Sequence, residues 1–364
     1  MAEASKKPAA DDSRKQNQDA SGSDVSLAHR HIFGFKTTVK GSVHFAEESQ
    51  VLYTAGHNCL LYSMDQKTQS KVFPGAEGSE GITATAVSPN RRYLAVCEKF
   101  ADRASCSIFD INTGKRRRGT LTYPDCEAKE FVCAAFSVEN KFLITQGGPP
   151  DWTLVLWSWD KARPLGAVKV SNSTGSVIHE CSFNPTDSNV VCVIGESVFK
   201  FFRLQEGTFK SIPNQTTKQR EGTANQNYVC HTWLTDDRLV VCSESGEALL
   251  FDSGGELKGV LPCSPHEPRS LQCVAPFSKG FVAGGDNGII RVFEKSEDAK
   301  EMYRKAKEVK AEVKDVGSTG STGPGAGAVL SLAVNPSEEV LAIGTSTAQL
   351  LQLSLSPSDL LKSE

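Results

Sequence analysis

The residues able to do chemistry in this sequence are dispersed and do not fall into a known catalytic spacing. A nucleophilic triad needs a serine or cysteine beside a histidine that an acid orients. His44, His179 and His231 each lie in a predicted strand, where we expect a structural role. The patterns H-E-x-x-H, D-x-D and G-x-S-x-G are absent, and the stretch GSTGSTGPGAG lacks the lysine of a phosphate-binding loop. We therefore predict no catalytic residue and no enzyme activity.

The 11 cysteines and seven histidines do not have the spacing of a metal site. The cysteine count is odd and no C-x-x-C pair occurs. Most cysteines sit inside apolar strands, as do Cys97, Cys192 and Cys242, where a free thiol packs as a small hydrophobic group. The sequence predicts no metal and no cofactor, and it favours a reducing intracellular compartment.

Two stretches are candidates for contact with a partner. GKRRRG places four adjacent cations at the tip of a predicted hairpin, namely Lys115, Arg116, Arg117 and Arg118. They could meet an acidic partner, such as a tubulin tail or nucleic acid, or form a solvated turn. Core packing is the default expectation for the tryptophans, but GGPPDW is a proline-rich loop in which Trp152 looks exposed and is the better candidate for partner contact.

Composition excludes several function classes. Charged residues make up 23 % and hydrophobic residues 39 % of the 364 residues, as in an ordinary globular protein. The net charge of −3 argues against a general nucleic-acid or membrane-surface binder. No apolar run approaches the roughly 18 residues of a membrane span. Nothing in the sequence indicates a small-molecule substrate.

A hairpin-like unit recurs along the chain and predicts the elements that carry these candidates. Each unit has an apolar anchor, a polar turn and a returning strand that begins about six residues later. The anchors are Phe45, Val87, Phe136, Phe183, Trp233, Ala275 and Val334, spaced by 42 to 59 residues. A third strand follows each return, as in CLLYSMD and LVLWSWDKA. A four-stranded propeller blade of the WD-repeat type takes about 40–45 residues, with insertions in loops.

The repeat predicts an all-β protein with a single seven-bladed WD-repeat β-propeller. Its signature motifs are degenerate, because Trp159-Asp160 is the only literal W-D pair. We expect a disordered tail at 1–28, the propeller at 29–357 and a short C-terminal end at 358–364. The blades are predicted near 40–75, 82–122, 130–171, 176–213, 226–262, 269–315 and 328–357. Two separate sandwiches, the alternative, would need a linker that the middle of the chain lacks.

The last two blades need explicit assumptions. We predict the outer strand of the sixth blade near 308–314, after a helical turn, followed by a flexible connector at GSTGSTGPGAGA. After AQLLQLSLS, the seventh blade has no sequence segment suited to an outer strand. We expect the segment His31 to Val39 to supply its closing strand, and a chain cut short before that strand is the rival explanation.

Several phrases of the sequence, taken in order, resemble a known family. FGFKTTVKGSVHF, VLYTAGHNCLLYSMDQKTQSKVFPG, ITATAVSPNRRYLAVCE and NYVCHTWLTDDRLVVCSESGEALLFDSG are similar to the amino-terminal propeller of the cilia- and flagella-associated protein 57 family. The resemblance covers about residues 31–355. It implies a non-enzymatic scaffold of the motile-cilium axoneme that helps to assemble or anchor inner dynein arms near the regulatory complex and so modulates beating. The family offers no catalytic residues to transfer.

The resemblance also sets expectations for partners and location. It implies other axonemal proteins as partners, namely inner dynein arm and regulatory complex components and tubulin, within the cytoskeleton of the cytoplasm and cilium. Family members continue into a second propeller and a long coiled coil, which this chain lacks, so we expect a fragment, a truncated gene model or a short paralogue. The alternative function is a cytosolic or nuclear WD-repeat adaptor for protein or ribonucleoprotein assembly. A propeller hydrolase is a third class, with no residues to support it.

Overall fold

Seven small antiparallel sheets make up the computed structural model, which describes residues 30–171, 176–213, 226–262, 270–298, 302–311 and 327–355. The chain divides into Met1–Ile32 and Phe33–Glu364, and the second unit holds every strand. The disordered tail predicted at 1–28 lies outside the described residues, as does most of the predicted glycine-rich connector. The seven sheets confirm the predicted seven-bladed propeller.

The first four blades each contain four strands. Blade 1 has β1 (His44–Glu47), β2 (Gln50–Ala55), β3 (Asn58–Ser63) and β4 (Thr68–Pro74). Blade 2 has β5 (Gly81–Val87), β6 (Tyr93–Lys99), β7 (Ser105–Asp110) and β8 (Arg116–Leu121). Blade 3 has β9 (Phe131–Phe136), β10 (Leu143–Gly147), β11 (Thr153–Ser158) and β12 (Arg163–Lys169). Blade 4 has β13 (Ile178–Phe183), β14 (Val190–Gly195), β15 (Val198–Gln205) and β16 (Thr208–Ile212).

Blades 5 and 6 also have four strands, whereas blade 7 has three among the described residues. Blade 5 has β17 (Tyr228–Trp233), β18 (Leu239–Ser243), β19 (Glu247–Phe251) and β20 (Leu257–Pro262). Blade 6 has β21 (Leu271–Phe277), β22 (Gly280–Gly285), β23 (Ile289–Lys295) and β24 (Tyr303–Lys310). Blade 7 has β25 (Val329–Val334), β26 (Val340–Thr345) and β27 (Leu350–Ser354). Short 3₁₀ turns occupy Trp159–Lys161 and Asp286–Gly288.

The first strand of each blade lies at the centre of the molecule. Strands follow one another in sequence order across every sheet. The first strands of consecutive blades contact each other from β1 through β25, and β25 contacts β1. These contacts form a closed ring around a central channel, so the fourth strand of each complete blade lies at the rim.

The apolar cores lie between the blades. Valine, leucine, isoleucine, cysteine and aromatic residues dominate the strands, because both faces of a blade are covered by neighbours. Six hydrophobic clusters fill the six interfaces from blade 1 against blade 2 to blade 6 against blade 7. Trp157 is fully buried between blades 2 and 3, and Phe201 between blades 4 and 5. Burying one such side chain contributes about 1.5–3 kcal/mol, so each interface stabilises both blades that form it.

The predicted closing strand at His31 to Val39 is wrong, because residues 30–43 form turns and extended chain outside any strand. The segment joins blades 7 and 1 in another way. Phe35 is buried against Gly344 of β26, where a Cβ would lie 2.5 Å from the phenylalanine Cζ. The Lys36 amide donates to the Thr54 carbonyl of blade 1 over 2.8 Å.

Polar contacts complete the junction between blades 7 and 1. The Ser42 amide donates to Ser331 Oγ over 3.0 Å. On the turn between β1 and β2, Glu48 Oε2 accepts from Asn335 Nδ2 at 3.0 Å and from the Ser337 amide at 3.1 Å. The ring is therefore closed by a buried aromatic side chain and a set of hydrogen bonds, with no exchanged strand in the described part of the chain.

The outer strand of the sixth blade exists but begins earlier than predicted, at Tyr303 instead of near residue 308. Tyr303 is fully buried, and its hydroxyl donates to Asp236 Oδ2 of blade 5 over 2.9 Å. That anchor fixes the register of β24 against β23. Residues 312–314 of the predicted strand lie outside the described residues.

We expect Phe35→Ala to lower the free energy of unfolding by about 3 kcal/mol, since it removes a buried aromatic side chain and leaves a cavity between blades 7 and 1. Phe35 is 6 % exposed, whereas Phe33 is 85 % exposed, so Phe33→Ala is the matched control and should change stability little. Urea unfolding followed by tryptophan fluorescence measures both. Equal effects of the two variants would contradict this closure.

Candidate interaction surface and channel wall

Hydrogen bonds between the first strands link neighbouring blades around the channel. His44 Nε2 lies 3.0 Å from Thr85 Oγ1, joining blades 1 and 2. Thr83 Oγ1 donates to the Phe131 carbonyl over 2.7 Å, joining blades 2 and 3. Further links of this type join the later blades, through Cys133 and Cys181, Ser182 and His231, Cys230 and Leu271, and Cys273 and Val329. These side chains position the blades relative to one another.

The channel wall also brings together a serine, a histidine and a glutamate that we did not associate from the sequence. Ser182 Oγ lies 2.6 Å from His231 Nε2, and His231 Nδ1 lies 3.2 Å from Glu180 Oε2. The residue types are those of a charge-relay triad. However, Nδ1 has no hydrogen bond of acceptable geometry within the described residues, and the Glu180 carboxylate instead accepts from the His231 amide over 2.9 Å.

The Ser182 hydroxyl has a second hydrogen-bond partner. Trp233 Nε1 donates to its oxygen over 3.0 Å, in addition to the contact with His231. The His231 side chain is 1 % exposed. The arrangement therefore holds blade 4 to blade 5, as expected for a histidine in a core strand, and the serine oxygen is already bound from two sides.

The cysteine side chains pack inside the blades. The described cysteines form no disulfides, and all except the half-buried Cys133 are buried, which agrees with the small-hydrophobe interpretation. Burial raises the pKa of the Cys192 and Cys273 thiols, so these groups stay protonated near neutral pH. No group of histidine, cysteine, aspartate or glutamate side chains in the described ranges is arranged to hold a metal ion.

A cavity of about 430 Å³ opens at the end of the channel where the first strands begin. Lys36, Lys40 and Lys99 line it, together with Glu80 and Glu130. Burial lowers the pKa of Lys36, whose ammonium group lies beside Glu98 and Cys59. Lys99 pairs with Glu80 at 3.4 Å, and Lys40 donates to Gln272 Oε1 over 3.2 Å. Each of the three lysines thus has a carboxylate or amide oxygen nearby. This end of the channel therefore has no strong excess of positive charge.

The basic cluster lies on the outer rim of blade 2. Lys115 follows the turn after β7, whereas Arg116, Arg117 and Arg118 lie on strand β8 and not on a hairpin tip as predicted. The turn is fixed by Asp110, whose Oδ1 accepts the Thr113 amide over 2.9 Å. That amide, helped by Arg92, lowers the pKa of Asp110. All four cations of the cluster are exposed.

Arg117 lies over two neighbouring aromatic rings that the sequence did not associate with it. Its guanidinium carbon lies 5.6 Å from the Tyr93 ring centre and 5.3 Å from that of Trp159. Tyr93 begins β6 of blade 2, and Trp159 follows β11 of blade 3. Cation–π contacts of this kind contribute about 0.5–1 kcal/mol at exposed sites, and they orient the guanidinium group.

Trp152 is not exposed, which corrects the expectation for the GGPPDW loop. It is 7 % exposed and packs in the cluster between blades 3 and 4. The loop folds back because the Trp152 amide donates to the Gly148 carbonyl over 3.2 Å, while Asp151 Oδ2 accepts from the Glu127 amide and Thr153 Oγ1. Trp152 therefore packs in the core, as the default interpretation expected, and is not available on the surface.

The chain is similar to several proteins that are named for cilia and flagella. No family model matches the chain. It is 30 % identical to mouse cilia- and flagella-associated protein 57 over 92 % of its own length and 29 % of the mouse protein. It is 23 % identical to cilia- and flagella-associated protein 57 A of Tetrahymena thermophila, over 90 % of this chain and 29 % of that protein.

A related protein and a solved structure extend the comparison. Mouse cilia- and flagella-associated protein 44 is 25 % identical over 74 % of this chain and 14 % of its own length. The chain thus spans less than a third of the length of these relatives. A chain of the crystal structure of a mitotic checkpoint complex aligns with a TM-score of 0.67 and 10 % identity, covering 91 % of this chain and 98 % of that chain. That likeness supports the propeller fold alone. No described helix is long and apolar enough to cross a membrane.

We expect the stability of the protein to fall as the pH is lowered from about 6.5 to about 4, in part because of His44. Burial lowers the pKa of His44 from 6.5 to about 4. The unfolded chain therefore binds a proton in this window that the folded chain excludes, at a cost of no more than about 3 kcal/mol.

The variant His44→Gln isolates this contribution, because glutamine can still bond to Thr85 but does not titrate. Urea unfolding at several pH values should show a shallower loss of stability for His44→Gln than for the wild type. His57→Gln, at an exposed histidine, is the control and should follow the wild type. A His44→Gln curve parallel to the wild type would contradict the burial of a neutral imidazole.

Proposed function

We propose, on the premise that this chain is a WD-repeat propeller homologous to cilia- and flagella-associated protein 57, that it is a non-enzymatic scaffold of the motile-cilium axoneme. In this role it helps to assemble or anchor inner dynein arms near the regulatory complex and so modulates ciliary beating. Its partners are other axonemal proteins, among them inner dynein arm and regulatory complex components and tubulin. The observation that carries the proposal is the match to this ciliary protein across 92 % of the chain.

The geometry supports a scaffold. Seven blades in a closed ring make a rigid frame, and recognition is usually carried by loops and rims on such frames. The polar groups on the channel wall are bonded to one another across blades, so they serve the frame. Ser182, the candidate nucleophile of a hydrolase, accepts from an indole and contacts a buried imidazole whose other nitrogen does not bond to the carboxylate.

The test of the scaffold role is fractionation and deletion in ciliated cells that make the protein. We expect the endogenously tagged protein to stay with the microtubules when detergent removes the ciliary membrane and matrix. We also expect its deletion to reduce the inner dynein arm heavy chains in isolated axonemes. Recovery in the detergent extract, with inner arms intact after deletion, would contradict the proposal and favour a cytosolic or nuclear adaptor. Labelling of Ser182 by a fluorophosphonate probe would contradict its non-enzymatic part.

A further inference from the structure

The outer rim of blades 2 and 3 carries a concentration of positive charge on a chain that is acidic overall. We define the rim cation surface as Arg92, Lys115, Arg116, Arg117, Arg118, Lys161 and Arg163, all of which are exposed. Two carboxylates, Asp110 and Asp160, lie among these seven cations. The whole chain has a net charge of −3, so positive charge is segregated to this part of the rim.

Side-chain contacts connect these cations into one surface. Arg92 lies over the Tyr93 ring at 5.4 Å and pairs with Asp110 at 3.1 Å. Arg117 lies over the same ring and over that of Trp159, which begins the turn holding Lys161. Strand β8 approaches that turn closely, since a Cβ at Gly119 would lie 2.6 Å from Ala162 Cβ. The surface therefore crosses from blade 2 to blade 3 without a gap.

Side-chain contacts orient Arg116 and Arg117, and no arginine of β8 has an ion pair within the described residues. The Arg117 guanidinium carbon lies 5.3 Å and 5.6 Å from two ring centres, a cation–π contact that leaves its N–H groups available to an anion. In the described ranges, the side chains of Lys115 and Arg118 have neither an ion pair nor a hydrogen bond to a side chain. Arg116 donates to the buried Ser107 hydroxyl, which fixes its direction. Preoriented guanidinium groups bind carboxylates through paired hydrogen bonds at a reduced entropic cost.

We propose that the rim cation surface binds an extended polypeptide segment rich in glutamate or aspartate, laid along β8. Arg116, Arg117 and Arg118 are consecutive residues of β8, opposite a shift in the register of its pairing with β7. An extended acidic peptide that runs along this strand brings carboxylates past all three guanidinium groups. β8 is also the last strand of its sheet among the described strands.

Nucleic acid fits this surface less well. A duplex carries about one negative charge every 1.7 Å along its axis, and it would run past both Asp110 and Asp160. Hydrogen bonds from Thr113 and from Ser158 lower the pKa of these two carboxyl groups, so they are ionised at neutral pH and repel phosphates. A peptide can place its neutral residues opposite them. The proposal concerns this surface alone and does not depend on where the protein resides in the cell.

The test uses the full 364-residue chain and a fluorescein-labelled oligo-glutamate peptide, with an oligo-glutamine peptide of equal length as the neutral probe. Fluorescence anisotropy should show binding of the glutamate peptide alone, weakening as salt is added. The double variant Lys115→Glu and Arg118→Glu should weaken binding about tenfold, equivalent to about 1.4 kcal/mol. Thermal unfolding of the variant should match the wild type, because both side chains are exposed.

The matched control is the double variant Arg304→Glu and Lys310→Glu on β24, the outer strand of blade 6. It makes the same charge change at two exposed positions of the same types, and it should leave the affinity unchanged. Equal weakening by both double variants would overturn the proposal, since binding would then follow net charge alone. Tighter binding of a single-stranded oligonucleotide, lost in the β8 variant, would replace the polypeptide with nucleic acid. Absence of glutamate-peptide binding would mean that the cations merely protect an edge strand from pairing.

Discussion

Each blade of this propeller presents two apolar faces, and the need to cover both faces determines the rest of the structure. Six interfaces are filled by hydrophobic clusters that neighbouring blades share. The seventh, between blades 7 and 1, is covered by Phe35 against Gly344 and by the hydrogen bonds of Ser42 and Glu48. Because every blade depends on two neighbours, a small number of contacts at this junction stabilises the whole ring, including the rim where partners would bind.

The repeat predicted the number of blades because the anchors and returns report real hairpins. Phe45 pairs with Val51, and Trp233 pairs with Leu239, as the spacing indicated. The closure of the propeller was harder to predict from the sequence. The segment from His31 to Val39 has strand-forming residues but turns back at 37–41. Its backbone instead bonds to Thr54, a partner outside the local pattern. Local alternation predicts a strand, and only tertiary contacts decide whether an edge is there to receive it.

The charges of the candidate surface could be predicted from the sequence, but the aromatic rings that contact them could not. The run Lys115–Arg118 is visible in the sequence, whereas the rings that hold Arg117 come from other elements, one of them in the next blade. Trp152 was predicted to be exposed because its neighbours are glycine and proline, yet Asp151 folds that loop back onto the blade. Ser182 and His231 meet because the residue one before the anchor of one first strand faces the residue two before the anchor of the next, as His44 faces Thr85. The alignment of the anchors could have revealed this relation.

The central claim is that seven mutually dependent blades form one closed ring, and native-state hydrogen exchange followed by mass spectrometry tests it most directly. β26 and β14 are the second strands of blade 7 and blade 4, and each is paired on both sides. If the junction at Phe35 closes the ring, the amides of these two strands should exchange slowly and at similar rates. Much faster exchange in β26, with β14 still protected, would mean that blade 7 opens independently and would contradict the closed ring.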